Sequence, residues 1–197
     1  MAGRRMPLRA PALAAGALLI ALSASAQQAP AWHDDARKVA TSVPPKLLSV
    51  LQAEIDNGGA ESAIAVCNDK APQLAKAASD ESGWAVRRVS LRNRNPRAVP
   101  DAWERAALED FDRRAAAGES PTTLEKAEDV KDDAGKPVRR YIRALPTQTL
   151  CLQCHGATEQ LKPAVVDRLR TLYPDDRATG YQVGQIRGAM TLRRAAP

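Results

Sequence analysis

The chain is poor in several residue types, and each shortage narrows what it can be. Only 4% of its 197 residues are aromatic, with one Phe, three Trp and three Tyr, so these side chains alone supply few of the large flat surfaces that fill a core. It has only three Cys and two His, which leaves few soft ligands for a metal. No internal repeat or low-complexity segment occurs, and only the start of the chain has a long apolar run. The sequence therefore predicts an ordinary globular domain.

The first 26 residues have the pattern of a secretory signal peptide. Arg4, Arg5 and Arg9 form a basic region, and residues 12–22 form an apolar stretch that is too short to span a bilayer. Ala24-Ser25-Ala26 is a small-residue cleavage site, so we expect the mature chain to begin at Gln27. The alternative is an uncleaved N-terminal anchor.

Removal of this leader leaves residues 27–197, which is the right length for a single domain. Because the leader carries three Arg and no acid, the net charge falls from +6 to +3. No later apolar run is long enough to cross a membrane. We therefore expect an exported, periplasmic and soluble protein, with no stable membrane insertion after cleavage.

A Cys-x-x-Cys-His run stands at residues 151–155 and is followed by Gly156. In an exported protein this spacing is typical of covalent attachment of one haem c. Cys151 and Cys154 would bind the two vinyl groups, and His155 would be the proximal axial ligand of the iron. Gly156 would leave room beside the porphyrin. A haem would also supply the flat apolar surface that the aromatic residues do not.

Three other interpretations of the motif remain. Cys151 and Cys154 can form a thioredoxin-like dithiol, although that chemistry prefers a βαβ setting and does not need His155. They can form half of a zinc site, although adjacent Cys154 and His155 on one tetrahedral metal would be strained. They can form a disulfide, which is awkward in so short a loop.

The order of predicted elements indicates an α+β fold. We expect a helix at 32–43 that ends at Pro44-Pro45, a second helix that ends at Asn57-Gly58-Gly59, and a third from Ala60 that Pro72 kinks or restarts. A strand at 84–91 and a helix from Asp101 to Gly118 follow, and then a hairpin, a helix and a last strand. The hairpin is predicted at 122–131 with 137–146, the helix at 162–172 and the last strand at 186–193.

Cys67 is left over once the motif is assigned. It shares a helical face with Ile64, Ala71 and Leu74, which predicts that it points inward. It can be a small buried apolar residue with no further role, or it can be a second ligand of the iron. Met190 and His33 are weaker candidates for that second position, because Met190 lies in a predicted strand and His33 lies near the N-terminus.

The segment 85–100 carries five Arg and no acid. In an exported protein this cluster does not indicate a nucleic-acid site. It can be a solvated strand and loop, or Arg92 or Arg94 can bind the haem propionates, since a guanidinium suits a carboxylate. The five residues are Arg87, Arg88, Arg92, Arg94 and Arg97.

Four segments in order resemble the bacterial family of PAS-like domains that carry one c-type haem. They are Ala63–Cys67 with Ala71-Pro72, Arg88–Pro96 with Pro100–Glu104, Cys151–Gly156, and Tyr173–Tyr181. The resemblance implies an antiparallel PAS-like sheet with N-terminal and flanking helices. It also implies a cysteine as second axial ligand, and Cys67 stands at the matching position. Ala98 departs from the pattern, since relatives often have Asn there.

Family members include stand-alone periplasmic proteins and input domains of sensors, and this chain resembles the stand-alone kind. The function expected from this resemblance is a redox or diatomic-gas sensor that responds to CO or NO and signals to a periplasmic partner. The alternative is a soluble electron-transfer cytochrome that exchanges electrons with a redox partner. An enzyme is not expected, because two protein ligands leave no open iron position and no acid–base pair is evident.

The motif generates a first prediction. Protein produced with the periplasmic haem-ligation machinery should keep its colour through acid–acetone extraction, because thioether bonds survive conditions that release non-covalent haem. Absorption spectra of the extracted protein measure this, and a variant with Cys151→Ser and Cys154→Ser is the control. Haem that washes out of the natural protein, or that stays covalently bound in the control, contradicts the prediction.

Overall fold

The structure, a computed structural model, describes Gly3 and residues 30–197. The predicted signal peptide and its cleavage site thus lie outside the described residues, apart from Gly3. After one long N-terminal helix the order is strand, helix, two strands, two helices and a last strand. The helices are α1 (Ala31–Ser82), α2 (Ala102–Ala116), α3 (Leu152–His155) and α4 (Pro163–Leu172), and the strands are β1 (Ala85–Val89), β2 (Glu125–Lys131), β3 (Pro137–Pro146) and β4 (Ile186–Ala195).

The four strands form one antiparallel sheet in the order β1-β4-β3-β2. The predicted hairpin of β2 and β3 is confirmed, and its tip is a tight turn. Asp132 accepts hydrogen bonds there from the backbone N–H groups of Ala134 and Lys136, and Gly135 has the positive φ of 76° that the turn requires. The α+β class, with an antiparallel sheet and helices packed on it, is confirmed.

Helix α1 differs from the three helices predicted over the same residues. The helix continues through Pro44-Pro45 and through Pro72, so the predicted end at the proline pair is wrong, and Pro72 does not restart the helix. Packing overrides the local preference, since Ala40 and Val43 before the pair are buried in the core and Leu47 after it lines an internal cavity. The residues on both sides therefore hold the chain in one helical path.

The predicted interruption at Asn57-Gly58-Gly59 is confirmed at Gly59. This residue has φ 81° and ψ 172°, which lies outside helical geometry. A side chain there would have to adopt a conformation that L-residues avoid, and its Cβ would also lie 2.8 Å from a carboxylate oxygen of Glu61. Gly59 therefore divides α1 into an N-terminal part and the part that carries Cys67.

The two faces of the sheet pack on different helices. On one face Val86, Tyr141, Met190 and Leu192 pack against the N-terminal part of α1, which contributes Trp32 and its neighbours. On the other face Val89, Ile142 and Ala189 pack against Leu108 and Phe111 of α2. Alternate residues of one strand therefore enter different cores.

A third cluster joins α1 to α4. Ala60 and Ile64 of α1 are buried against Leu161, Val165 and Leu169, and Cys154 of the motif packs against the same cluster. The motif is thus held between α1 and the chain that leads into α4. Within residues 30–197, no helix is long and apolar enough to cross a membrane.

Glu125 of β2 ties the first turns of α1 to the sheet. Arg37 of α1 donates to both of its carboxylate oxygens, at 2.9 and 3.0 Å, and the Tyr141 hydroxyl donates at 2.7 Å. Arg143 makes a further ion pair with it. Burial alone would raise the pKa of Glu125, but these hydrogen bonds and the charges of Arg37 and Arg143 lower it to about 2.

We therefore expect Glu125→Gln to destabilise the fold in a pH-dependent way. The folded-state pKa lies below the ordinary value of 4.5, so the contribution is fully present above that value and is lost as the pH falls toward 2. Partial exposure screens the pair, which limits the cost at neutral pH to about 1–2 kcal/mol. Urea denaturation at about pH 7 and about pH 3 measures the difference.

Glu109→Gln on the exposed side of α2 is the matched control, and its free energy of unfolding should stay close to that of the natural protein. The prediction fails if Glu125→Gln costs as little as the control at neutral pH, or if its cost grows rather than shrinks in acid.

Candidate functional site

The Cys-x-x-Cys-His motif forms a compact turn between β3 and α4. A 3₁₀ turn at Thr149–Cys151 leads directly into α3, a single helical turn that ends on Gly156. A Cβ on Gly156 would lie 2.7 Å from the carbonyl oxygen of Leu152. The structure thus supplies a local reason for this glycine, namely close packing of the backbone on its own helical turn. Cys67, Cys151 and Cys154 are all free thiols.

The ring of His155 is held by the loop that precedes β4. Its Nδ1 lies 2.7 Å from the carbonyl oxygen of Ala178, and the edge of its ring faces Tyr181 at a centroid distance of 6.4 Å. Its backbone carbonyl accepts a hydrogen bond from the Tyr181 N–H at 2.9 Å. Both the ring and the backbone of His155 are therefore fixed by residues 178–181.

These contacts determine which nitrogen of His155 carries the proton. A carbonyl oxygen can only accept, so the short contact with Ala178 requires a proton on Nδ1. The approach of Arg187 Nε to the same atom, at 3.2 Å, then places two donors together and is not a hydrogen bond. Nε2 is left with its lone pair, which is the form that binds a metal.

Burial lowers the pKa of His155 well below its ordinary value, and the charges of Arg187 and Arg94 act in the same direction. The ring is therefore neutral at physiological pH. A neutral imidazole with a fixed tautomer and a hydrogen-bonded Nδ1 has the properties of a metal ligand.

Arg94 clamps the motif to the loop. Its Nε donates to Asp176 at 3.0 Å and its Nη2 donates to the Cys154 carbonyl at 2.6 Å. The side chains of Arg94 and Asp176 are only 7% and 11% exposed, so this is a largely buried ion pair. Asp176 also accepts from the Ala178 N–H at 2.8 Å. The carbonyl that holds His155 is thus positioned by the same carboxylate that holds Arg94.

Cys67 lies on the inward face of α1, as its spacing predicts. Ala63 and Ile64, one turn earlier, are 2% and 1% exposed. Burial raises the pKa of the Cys67 thiol, and the positive charges of Arg88, Arg94 and Arg187 oppose that rise. The three arginines therefore make this position more favourable for a thiolate than burial alone would allow.

Two adjoining cavities connect these residues. One, which we call the thiol cavity, has a volume of about 170 Å³. The other, the arginine cavity, has a volume of about 410 Å³. Cys67 and His155 line both of them, as do Arg88, Arg94 and Arg187. The thiol cavity is completed mainly by Leu47, Leu48, Leu51, Ile55, Leu150, Cys151, Cys154 and Met190, and the arginine cavity mainly by Ala71, Pro72, Ser79, Ser90, Asn93 and Tyr173.

The sequence-predicted residues divide between the cavities and their surroundings. Cys151, Cys154, His155 and Cys67 come together at the thiol cavity although Cys67 is distant in the chain. Arg94 lines both cavities. Arg92 lines neither: its guanidinium lies over the Tyr181 ring, 4.2 Å from the centroid, and donates to the carbonyls of Arg177 and Thr179.

The two rival ligands also occupy different places. Met190 is 3% exposed and lines the thiol cavity beside the motif, so its position in a strand does not remove it from the site. His33 packs edge-on against Trp32 at 4.2 Å and is not among the residues that line the two cavities. The structure therefore keeps Met190 near the candidate ligands and separates His33 from them.

Sequence analysis missed Arg88 and Arg187 as residues of the site. Alternation along β1 carries a signal for Arg88, since Val86 is buried and residues two apart share a face. No comparable signal marks Arg187, which is 5% exposed next to Gly188. Burial lowers the pKa of Arg187 to about 9, with Arg88 contributing in the same direction.

The fold and the site define an α+β protein in which a Cys-x-x-Cys-His motif and a distant cysteine line one cavity. The Tll0287-like (Tll0287) family model matches residues 15–194, so the chain belongs to the Tll0287-like family. Among curated protein sequences none matches this chain.

A solved relative shares the fold. The crystal structure of the cyanobacterial haem protein Tll0287 is similar with a TM-score of 0.62 and 24% sequence identity. The match covers 86% of this chain and 97% of that one, so the likeness extends over almost the whole of the solved protein.

The clamp generates a prediction about stability. Arg94→Met should lower the free energy of unfolding by about 3–5 kcal/mol, because it leaves the Asp176 carboxylate buried without its cation. Arg94→Met combined with Asp176→Asn should recover part of this loss, since the buried charge is then gone. Guanidinium denaturation followed by circular dichroism measures both variants.

Arg97→Met is the matched control, because Arg97 is nearby and exposed. It should change stability by no more than about 0.5 kcal/mol. Equal stability of Arg94→Met and Arg97→Met, or a double variant less stable than Arg94→Met, would show that the pair is not the clamp described.

Proposed function

We propose that this protein holds one haem c and senses redox state or a diatomic gas. Cys151 and Cys154 would attach the haem, and His155 and Cys67 would be its axial ligands. The observation that carries the proposal is the meeting of these four side chains at the thiol cavity, because Cys67 and the motif lie on separate elements. The family membership and the haem protein of similar fold support it.

The residues around the two cavities fit a haem. Apolar side chains of α1, including Leu47, Leu48 and Leu51, line one side and suit the flat hydrocarbon of a porphyrin. The volumes of about 170 and 410 Å³ together fall within the range of about 300–1,000 Å³ that is typical of cofactor sites. The guanidiniums of Arg88 and Arg187 supply the positive charge that an anionic cofactor requires.

A bound haem would supply a one-electron redox couple and, where an axial position is open, a binding site for CO or NO. The protein contributes the rest. His155 presents Nε2 because Ala178 occupies Nδ1. Cys67, as a thiolate, would be an anionic ligand that favours ferric over ferrous iron, so the ligand pair would set a low reduction potential.

Cys67 is also placed to act as a switch. It lies on α1 between Gly59, where the helix is broken, and Pro72, which lacks a backbone donor. Release of Cys67 after one-electron reduction would free this segment to move, which is the two-state element that a sensor needs. With two protein ligands in the resting state, we propose a non-enzymatic role.

Electron transfer is the second candidate function, and one observation favours it. Ala178, Tyr181, Arg94 and Asp176 fix His155 and its backbone on several sides. A site this well fixed can keep the same ligands in both oxidation states, which speeds electron exchange. Export to the periplasm, which the leader predicts, suits either function.

The experiment that tests the proposal combines spectroscopy with reduction. Ferric protein should give a low-spin electron paramagnetic resonance spectrum with thiolate character, and Cys67→Ala should change it to high-spin or to a different ligand set. Reduction with dithionite at about pH 7 followed by CO should shift the Soret band of the natural protein, because reduction weakens the bond to Cys67.

Asn68→Ala is the matched control on the same helix, and its exposed side chain should leave both spectra unchanged. An unaltered ferric spectrum in Cys67→Ala would exclude Cys67 as the ligand. Absence of CO binding, together with fast electron exchange and one ligand set in both oxidation states, would favour the electron-transfer alternative over the sensor.

A further inference from the structure

The arginine cavity holds more positive charge than the protein around it neutralises. Arg88, Arg94 and Arg187 line both this cavity and the thiol cavity, and the exposed residues Lys76, Arg87 and Arg97 border this one alone. Within residues 30–197 neither Asp nor Glu is among the residues that line either cavity. Burying a cation without an anionic partner costs several kcal/mol. The charge balance of this cavity is therefore incomplete.

Of the three arginines that line both cavities, Arg94 is paired with an acid, Asp176. Arg187 donates to neutral oxygens, the Ser90 hydroxyl at 3.2 Å and the Arg92 carbonyl at 3.4 Å. It is 5% exposed. A guanidinium this deeply buried is expected to bind a carboxylate or phosphate.

Arg88 is less satisfied than Arg187. No residue in the described part of the chain accepts a hydrogen bond from its side chain, and its Nε is fully buried without a partner. Such a donor destabilises the folded protein unless something else binds it. Two guanidiniums on one cavity, one without any partner and one with neutral partners, form a site for an anion.

The register of the sheet explains why Arg88 points into the cavity. Arg88 lies opposite Met190 of β4, and Met190 lines the thiol cavity. Its neighbour Arg87 is exposed and also borders the arginine cavity, but it pairs with Glu104 of α2. Two consecutive arginines thus differ in their partners, one with an acid and one without.

We propose that Arg88 and Arg187 bind a carboxylate in the arginine cavity beside His155. One source is the pair of carboxylates on the edge of a haem, and that source rests on the function proposed above. The other is a free small carboxylate that enters the cavity. In both cases the binding residues are Arg88 and Arg187, whereas Arg92, which sequence analysis named with Arg94 as a candidate, is engaged outside the cavity.

The test compares Arg88→Met, Arg88→Lys and the control Arg105→Met in holoprotein labelled with carbon-13 at the haem carboxyl carbons. If the haem carboxylate is the ligand, its isotope-edited infrared band should shift in Arg88→Met and shift less in Arg88→Lys, which keeps the charge but loses the fork-shaped donor set. Arg105→Met should leave the band in place, because the exposed side chain of Arg105 on α2 borders neither cavity.

A second arm uses malonate as the probe. If the site takes a free carboxylate, malonate should bind the natural protein saturably in isothermal titration. Its Kd should rise about tenfold to a hundredfold in Arg88→Met, since a charged hydrogen bond is lost. If the haem carboxylate fills the site, two results are expected together: malonate does not bind, and the infrared band shifts in Arg88→Met.

The outcomes separate this inference from the proposed function. The inference is overturned if every variant carries covalent haem, the infrared band does not change in Arg88→Met, and malonate does not bind. That outcome leaves the proposed haem function intact. Protein without covalent haem that still binds malonate through Arg88 overturns the proposed function and supports the free-carboxylate source. Malonate binding that is unchanged in Arg88→Met also overturns the assignment. Circular dichroism of each variant checks that it is folded.

Discussion

The hydrogen bond from His155 Nδ1 to the carbonyl of Ala178 is the contact on which the arrangement of the site depends. It fixes the tautomer, orients the ring and ties the motif to the loop before β4. Two backbone hydrogen bonds hold that loop against the motif. Gly180 donates to the carbonyl of Gly156 at 2.7 Å, and Tyr181 donates to the carbonyl of His155 at 2.9 Å. The ring is therefore oriented by the chain that follows it by more than twenty residues.

The rest of the fold brings charge and sulfur to this fixed ring. Gly59 breaks α1 so that its second part can pack against α4 and carry Cys67 to the cavity. The sheet contributes Arg88 from β1 and Arg187 from β4. A neutral imidazole, a thiol and an excess of guanidiniums thus meet in a largely apolar interior, where each interaction is stronger than it would be in water.

Much of this could be predicted from the sequence, because the signals are local. Period-two and period-3.6 patterns located the sheet, α2 and α4, and the Cys-x-x-Cys-His spacing located the motif. The proline pair misled the prediction, since tertiary packing outweighs a local preference that sequence alone registers. Arg187 and the partner of His155 were beyond prediction, because Ala178 contributes only a backbone carbonyl and any residue type has one.

The strand order has a consequence for how the chain assembles. β4 is central, between β1 and β3, yet it follows all the other strands in the sequence. Until its residues are available, β1 has no partner and β3 exposes an open edge, and both are surfaces prone to mispairing. The loop that holds His155 leads directly into this strand, so completion of the sheet and final placement of the imidazole belong to one late, long-range step. Cys151 and Cys154 are half-buried in the complete fold, and they would be more accessible before the last strand joins the sheet.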